Sequence, residues 1–189
     1  MILEIVRYGN PVLRQKGAAI DKITPEIKKL IDDMFETMEA NHGVGLAAQQ
    51  IGKALQLTVI DVTAAKDRPS TVEIKGKPAE LAEIMPLVLI NPEIKPVGDP
   101  VTGGEGCLSF PQVYSEISRP EFVEVKALDK KGKPIEFKAG GLLSRAIQHE
   151  VDHLNGILFI DRMSKKAKDE IRDDLDVLQA ETKAAMKKK

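Results

Sequence analysis

One short segment, His149-Glu150-Val151-Asp152-His153, restricts most strongly what this chain of 189 residues can fold into. Apolar residues recur around it at helical spacing and predict a helix from Gly141 to the stop signal Asn155-Gly156: Leu142, Leu143, Ala146, Ile147, Val151 and Leu154. Such a helix packs in a core, where the polar side chains of the segment would be buried at a cost unless they served a purpose. The two histidines lie four residues apart on one face, so both can bind one metal ion while Glu150 takes a proton from its water.

Two imidazoles leave a metal ion under-coordinated, so the sequence must supply a third ligand. The candidates are His42, the only other histidine, Asp173, placed as in many HExxH proteases, and Cys107 in Gly-Gly-Glu-Gly-Cys-Leu-Ser. A lone cysteine is most simply a small buried hydrophobe. Here the glycines let the backbone approach another element closely, and a thiolate is the form that a divalent metal favours. Cys107 with the two helical histidines would leave a fourth position open for water, as a catalytic site requires.

The rest of the chain predicts an α+β domain. An amphipathic helix follows Thr24, its N-cap, and ends near Gly43. Residues 43–50 carry too many small side chains for a helix or a strand. The polar residues at 63–85 indicate an excursion on the surface. A last helix begins after its N-cap, Ser164. Strand-like runs lie between these segments, the last two flanking a hairpin turn: 55–62, 87–94, 121–128 and 134–137. Because strands and helices do not alternate regularly, we expect antiparallel pairing.

Composition excludes several classes of protein. A chain of this length with 42% hydrophobic residues can build a core without disulfides, and its single cysteine cannot form an intramolecular one. A formal net charge of -1 excludes a strongly cationic nucleic-acid binder. The longest apolar stretch, residues 84–90, is too short to cross a bilayer and is interrupted by Pro86. The lone thiol and the lack of a signal-like start predict a cytoplasmic protein.

Three segments, in order, resemble the signature motifs of the peptide deformylase family: Gly-Val-Gly-Leu-Ala-Ala-Gln-Gln at 43–50, Glu-Gly-Cys-Leu-Ser at 105–109 and Gln-His-Glu-Val-Asp-His at 148–153. The similarity extends to residues 9–14 and 154–161 and so covers nearly the whole chain. Departures are mild, since Gln49 stands where many members have proline and residues 66–85 look longer than the equivalent loop. None of these departures touches a presumed ligand.

The resemblance implies hydrolysis of the N-formyl group from the initiator methionine of new polypeptides, with release of formate. The residues alone lead only to a metal-activated water attacking a carbonyl, so the formyl-methionine specificity comes from the family. The family's mechanism makes Glu150 the general base and gives the oxyanion to the metal, the Gln50 amide and the Leu108 backbone N–H. The implied fold is α+β, with antiparallel sheets packed around a central metal-binding HExxH helix and helices near both ends. We expect residues 1–163 to form the catalytic domain and residues 164–189 a C-terminal helix with a basic tail.

The resemblance also implies a pocket and a supporting shell around the metal. An apolar methionine pocket would be lined by Val44, Leu142 and Ala146, and Gly45 could pair its backbone with the extended peptide. We expect an ion pair between Glu105 and Arg119 to fix the Cys107 loop. Two neighbours on the helix are further candidates for orienting the ligands: Asp152 and Gln148. We expect one divalent ion, with Fe²⁺ favoured over Zn²⁺, Ni²⁺ or Co²⁺, and contact of the C-terminal helix with the ribosome.

The residues by themselves leave other classes open. A copper electron-transfer centre also uses two histidines and a cysteine, but on loops of a β-sandwich with a weak axial methionine. A structural metal module would close the fourth position, which only His42 could do. A metallo-endopeptidase would follow if Asp173 rather than Cys107 were the third ligand.

Overall fold

Seven strands form one sheet in the computed structural model, which describes residues 1–189. Their bounds are β1 Gly45–Ala47, β2 Leu57–Ile60, β3 Ser70–Ile74, β4 Lys77–Ala79, β5 Leu87–Cys107, β6 Phe110–Leu128 and β7 Pro134–Gly140. The order across the sheet is β1-β2-β5-β6-β7-β3-β4, and every neighbouring pair is antiparallel. The predicted mixture of helices and antiparallel strands is therefore confirmed, although the strands form one sheet rather than several.

Four helices accompany the sheet: α1 Pro25–Ala40, α2 Gly141–Leu154, α3 Lys165–Glu170 and α4 Arg172–Met186. Thr24 caps α1 as predicted, because its side chain accepts a hydrogen bond from the Ile27 N–H at 3.3 Å. The stop signal after α2 is also confirmed, since Gly156 follows the C-cap Asn155 with a φ of 73°. None of the helices is long and apolar enough to cross a lipid bilayer.

The helix α2 is buried along its whole length. Thirteen of its 14 residues are buried, the first glycine being the exception. Its apolar side chains share one core cluster with residues of β2, β3, β5, β6 and β7. A helix in this position has no solvent-facing side, so its charged residues must find partners inside the protein.

Two long neighbouring strands carry a loop to this helix. β5 and β6 pair along most of their length and are joined by the two residues Leu108 and Ser109. The pairing register shifts between Gly106 and Cys107, so the end of β5 is irregular where it approaches α2. The hairpin thus presents Cys107 at its tip, next to α2.

The structure corrects several local expectations. Residues 43–50 do form regular structure, namely β1 and the short 3-10 helix Ala48–Ile51, because β1 is held by pairing with β2. The excursion at 63–85 contains β3 and β4, and β3 joins the sheet beside β7. The predicted last helix is two helices, since Ile171 with φ of -110° and ψ of 8° separates α3 from α4. These features depend on distant partners that a local pattern does not contain.

Candidate metal centre and active site

Three side chains that can bind a metal converge where the β5–β6 hairpin meets α2. One possible ligand atom from each of Cys107, His149 and His153 lies within 4.8 Å of the other two. The Cys107 Sγ is 3.3 Å from the His153 Nε2. No other group of three such side chains exists in the chain, so His42 and Asp173 do not join this cluster.

The donor set fits a divalent transition metal. A thiolate and two imidazoles are ligands that ions such as Zn²⁺ and Fe²⁺ accept, and three protein ligands leave one position for a water or substrate. The His153 Nδ1 is buried and makes no hydrogen bond. Burial also lowers the pKa of His153 well below its ordinary value, which keeps the ring neutral, as a metal ligand must be.

The buried carboxylate of Glu105 fixes the orientation of the His149 ring. The His149 Nδ1 lies 2.9 Å from the Glu105 Oε1, and donation of Nδ1–H to it leaves Nε2 as the free nitrogen. Arg119 donates Nε–H to Oε2 at 2.6 Å and Nη2–H to Oε1 at 2.9 Å, while Arg145 donates Nη1–H to Oε2 at 2.8 Å. Burial would raise the pKa of Glu105, but hydrogen bonds from His149 and Arg119 outweigh it and lower the pKa to about 2.

The charges around Glu105 extend to the surface. Arg119 also donates to the Asp152 Oδ2 at 3.0 Å, and Asp152 pairs in turn with the half-exposed Arg162 at 2.9 Å. Asp152 therefore supports Arg119 rather than either histidine. The Gln148 side chain donates to the Pro120 carbonyl at 2.9 Å and to the Ser144 Oγ at 3.0 Å, and it hydrogen-bonds to neither ligand. The expectation that these two helical neighbours orient the ligands directly is wrong, because both are turned to other partners.

Glu150 lies beside the cluster with one oxygen unpaired. Its Oε2 is buried and has no hydrogen-bond partner, and burial raises the pKa of the carboxyl to about 7. The backbone of β1 passes close by at Gly45, where a Cβ would lie only 2.7 Å from the Glu150 Oε1. A glycine is needed here because any side chain would displace this carboxylate.

Two further groups are held next to Cys107. The Gln50 Oε1 accepts a hydrogen bond from the Ala47 N–H at 3.0 Å, which turns the Nε2 towards the Cys107 Sγ at 3.5 Å and the Ser109 Oγ at 3.3 Å. The side chain of Gln50 is buried and its orientation is therefore fixed. Leu108 follows Cys107 in the hairpin turn, and its N–H makes none of the loop or turn hydrogen bonds.

A cavity of about 1460 Å³ opens onto the cluster. Besides Cys107, His149 and Glu150, its lining includes all four residues predicted for substrate binding: Val44, Gly45, Leu142 and Ala146. Leu142 and Ala146 also pack in the core, so they line the cavity from a fixed position on α2. The arrangement combines a buried carboxylate, N–H donors held beside Cys107 and an apolar wall around one possible metal site.

Comparison with known proteins agrees with this arrangement. The model of the polypeptide deformylase family matches residues 2–169. The chain belongs to this family. A peptide deformylase of Methylacidiphilum infernorum (isolate V4) is 50% identical over 93% of this chain and 92% of its own length. One from Opitutus terrae is 45% identical over 99% of this chain and 98% of its own.

Solved deformylase structures share the fold. A plant peptide deformylase superposes with a TM-score of 0.82 at 38% identity, covering 97% of this chain and 92% of that one. A peptide deformylase of Synechococcus elongatus, solved in complex with actinonin, gives a TM-score of 0.77 at 41% identity and covers 92% and 86%. The activity of the chain is accordingly that of the family, a metal-dependent hydrolysis that removes formyl groups.

Sequence reasoning missed two arginines of this deformylase site. Arg145 occupies the α2 face four residues before His149, and it donates to the Ile117 and Val101 carbonyls as well as to Glu105. Arg162 was not singled out either. A charged residue inside an apolar helical stripe is a signal that could have found Arg145, because a buried guanidinium requires acceptors.

Proposed function

We propose that the chain deformylates the initiator methionine of newly made polypeptides at the cluster of Cys107, His149 and His153. The observation that carries this proposal is the convergence of these ligands, in a chain of this family, beside a buried carboxylate with an unpaired oxygen. The preference for formyl-methionine is supported by the family, and the residue roles below are supported by the geometry.

Cys107, His149 and His153 would hold the ion. A divalent metal bound there would act as a Lewis acid that lowers the pKa of its water towards about 7. We propose Fe²⁺ as the native ion, with Zn²⁺, Ni²⁺ and Co²⁺ as replacements, because a thiolate and two imidazoles accept all four. Glu105 would keep the Nε2 of His149 directed at the ion, and Arg119 and Arg145 would keep Glu105 ionised.

Glu150 would act as the general base and then as the general acid. Its Oε2 takes a proton from the attacking water as the water oxygen bonds to the formyl carbon. When the carbon–nitrogen bond breaks, the same proton passes to the leaving amine, and the formyl carbon departs as formic acid, which releases its remaining proton to solvent and becomes formate. A pKa of about 7 suits a group that must both accept and return a proton near neutral pH.

Gln50 and Leu108 would stabilise the negative charge that develops on the formyl oxygen. Both can offer N–H donors beside Cys107, one from the side-chain amide and one from the backbone. The hydrogen bond from the Ala47 N–H to the Gln50 Oε1 keeps the amide from rotating. The donors are thus oriented before substrate arrives.

The methionine side chain would lie against Val44, Leu142 and Ala146, while Gly45 would offer its backbone to the extended peptide. We further propose that residues 1–163 carry the catalysis and that residues 164–189 contribute a helical segment with a basic tail. A cytoplasmic location and a transient ribosome contact through this segment are proposed from the nature of the substrate. Co-sedimentation with ribosomes, with and without substitution of the three terminal lysines, tests that contact.

The decisive experiment is an assay of formate release from a formyl-methionyl tripeptide by anaerobically prepared protein. We expect stoichiometric formate and free α-amine, because hydrolysis yields one of each. Cleavage of an internal peptide bond with the formyl group intact would contradict the proposal. So would an absence of any hydrolysis by metal-loaded protein.

A further inference from the structure

The cavity at the metal cluster extends well past the groups assigned above. Its volume of about 1460 Å³ exceeds the roughly 300–1,000 Å³ that is usual for a small-ligand pocket. The additional lining comes from residues 2–7 and from the end of α4. A formyl group and one methionine side chain would leave this distal part without an occupant.

Exposed apolar side chains line this cavity, and two of them lie in its distal part. The chain has only six large exposed hydrophobic residues: Met1, Ile2, Val101, Tyr114, Val177 and Met186. Three of them line the cavity, namely Ile2 with 58%, Tyr114 with 77% and Met186 with 42% of their surface exposed. Clustered exposed apolar groups mark binding surfaces, whereas isolated ones need no explanation.

The N-terminal wall of this part is fixed in place. The Leu3 N–H donates to the Thr37 Oγ1 of α1 at 2.8 Å, and the Val6 N–H donates to the Gln50 carbonyl at 2.8 Å. The segment therefore runs from α1 to the backbone of the residue proposed to bind the oxyanion. A wall held at both ends needs little reorganisation when a ligand binds.

The second wall, the end of α4, is equally fixed. Leu175 and Leu178 bury the first half of the helix in the core, and Thr182, one turn before Met186, is also buried. The helix packs so closely on Gly9 that a Cβ there would lie 2.9 Å from the Gln179 carbonyl oxygen. Lys189 joins the two walls by an ion pair with Glu4 at 2.7 Å.

We propose that this distal groove, formed by Ile2, Glu4, Ala185 and Met186, binds the part of the polypeptide that follows its first residues. The inference rests on the proposed function. When the formyl-methionine lies at the cluster, the substrate residues that follow it must leave the site through the same cavity. Since an extended chain advances about 3.3 Å per residue, several residues beyond the methionine can contact these walls. The exposed apolar side chains of Ile2 and Met186 favour substrates with apolar side chains at those positions.

The test compares formate release from a formyl-methionyl tripeptide with that from two nonapeptides that begin with the same three residues. One nonapeptide continues with leucine and valine, and the other continues with serine and glycine. For the metal-loaded protein we expect kcat/KM for the apolar nonapeptide to exceed that for the tripeptide about tenfold, chiefly through KM, because two or three side chains are covered. The polar nonapeptide should differ from the tripeptide by less than about twofold, since it covers no apolar surface.

Variants assign the effect to the groove. The double variant Ile2→Ser, Met186→Ser should reduce the tenfold advantage of the apolar nonapeptide to about twofold, because both apolar contacts are lost. Val177→Ser is the control. Val177 lies on the same helix as Met186 and is as exposed as Ile2, at 58%, but it does not line the cavity. Fluorescence anisotropy with the labelled, deformylated apolar nonapeptide should show the same order of affinities without any turnover.

Three results would overturn the inference: equal kcat/KM for the tripeptide and the apolar nonapeptide, an advantage that survives the double variant, or an equal loss in Val177→Ser. These differ from a failure of the proposed function, in which no formate is released even from the tripeptide. In that case the groove proposal fails with it.

Discussion

Replacing Glu105 by glutamine should remove the charge that neutralises Arg119 and Arg145 while keeping the shape of the side chain. Lowering the pKa of Glu105 from 4.5 to about 2 corresponds to about 3 kcal/mol of stability from its ionised form. Because the folded pKa is the lower one, this contribution is complete above pH 4.5 and is lost as the pH falls through 2. About 2 kcal/mol of it should be gone by pH 3.

The assay is urea unfolding of metal-free wild-type and Glu105→Gln protein between pH 6 and pH 3. At pH 6 the variant should be less stable by about 3–5 kcal/mol, since it leaves two buried guanidinium groups without their shared carboxylate. The difference between the proteins should shrink by about 2 kcal/mol at pH 3. Glu116→Gln, an exposed carboxylate on β6, is the control and should show neither effect. A difference between wild type and Glu105→Gln that does not change with pH would refute the reasoning.

Three further substitutions and one control substitution test the site. Gln50→Ala should lower kcat by about 10²–10³ with metal content retained, because one proposed oxyanion donor is lost. An effect confined to KM would instead assign Gln50 to substrate binding. Cys107→Ser should lose metal affinity, as measured by metal content after dialysis, and the iron form of the parent should lose activity in air faster than its nickel form. Gly103→Ala should destabilise by about 1–3 kcal/mol in urea, because its Cβ would lie 3.1 Å from the Arg145 guanidinium, which is fixed by three acceptors. Gly104→Ala, whose Cβ meets only the Glu116 Oε1 at 3.8 Å, should be neutral or slightly stabilising.

The helices α1 and α2 could be predicted because their signals are local. Thr24 and Pro25 mark the start of α1, and Asn155 with Gly156 ends α2, so both elements were placed within a few residues. The period of the apolar residues around His149 indicated a buried helix without any knowledge of its partners. Cys107 was favoured among three candidate ligands for two reasons. A divalent metal favours a thiolate, and only Cys107 lies among glycines that permit close approach of the backbone.

The sheet was less predictable because its determinants are distant in sequence. β5 continues past residue 94 through Pro96, Pro100 and several glycines, which argue against a strand when they are considered alone. Pairing with β6 maintains it, with register shifts where the pattern is broken, including one between Val97 and Pro100. The hydrogen bond between Glu105 and Arg145 could not be predicted for a similar reason. The two residues are 40 positions apart and meet only when the hairpin packs on α2.

The most direct test of the proposed mechanism is to measure metal content and formate release for Glu150→Gln beside the parent protein. Glu150 is placed next to the ligands without being one, so the variant should retain a full equivalent of metal. Turnover should fall to background, because the amide cannot take a proton from water. Full metal content with near-parental formate release would contradict the assignment of Glu150 as the base. Loss of the metal itself would contradict the assignment of Cys107, His149 and His153 as the complete ligand set.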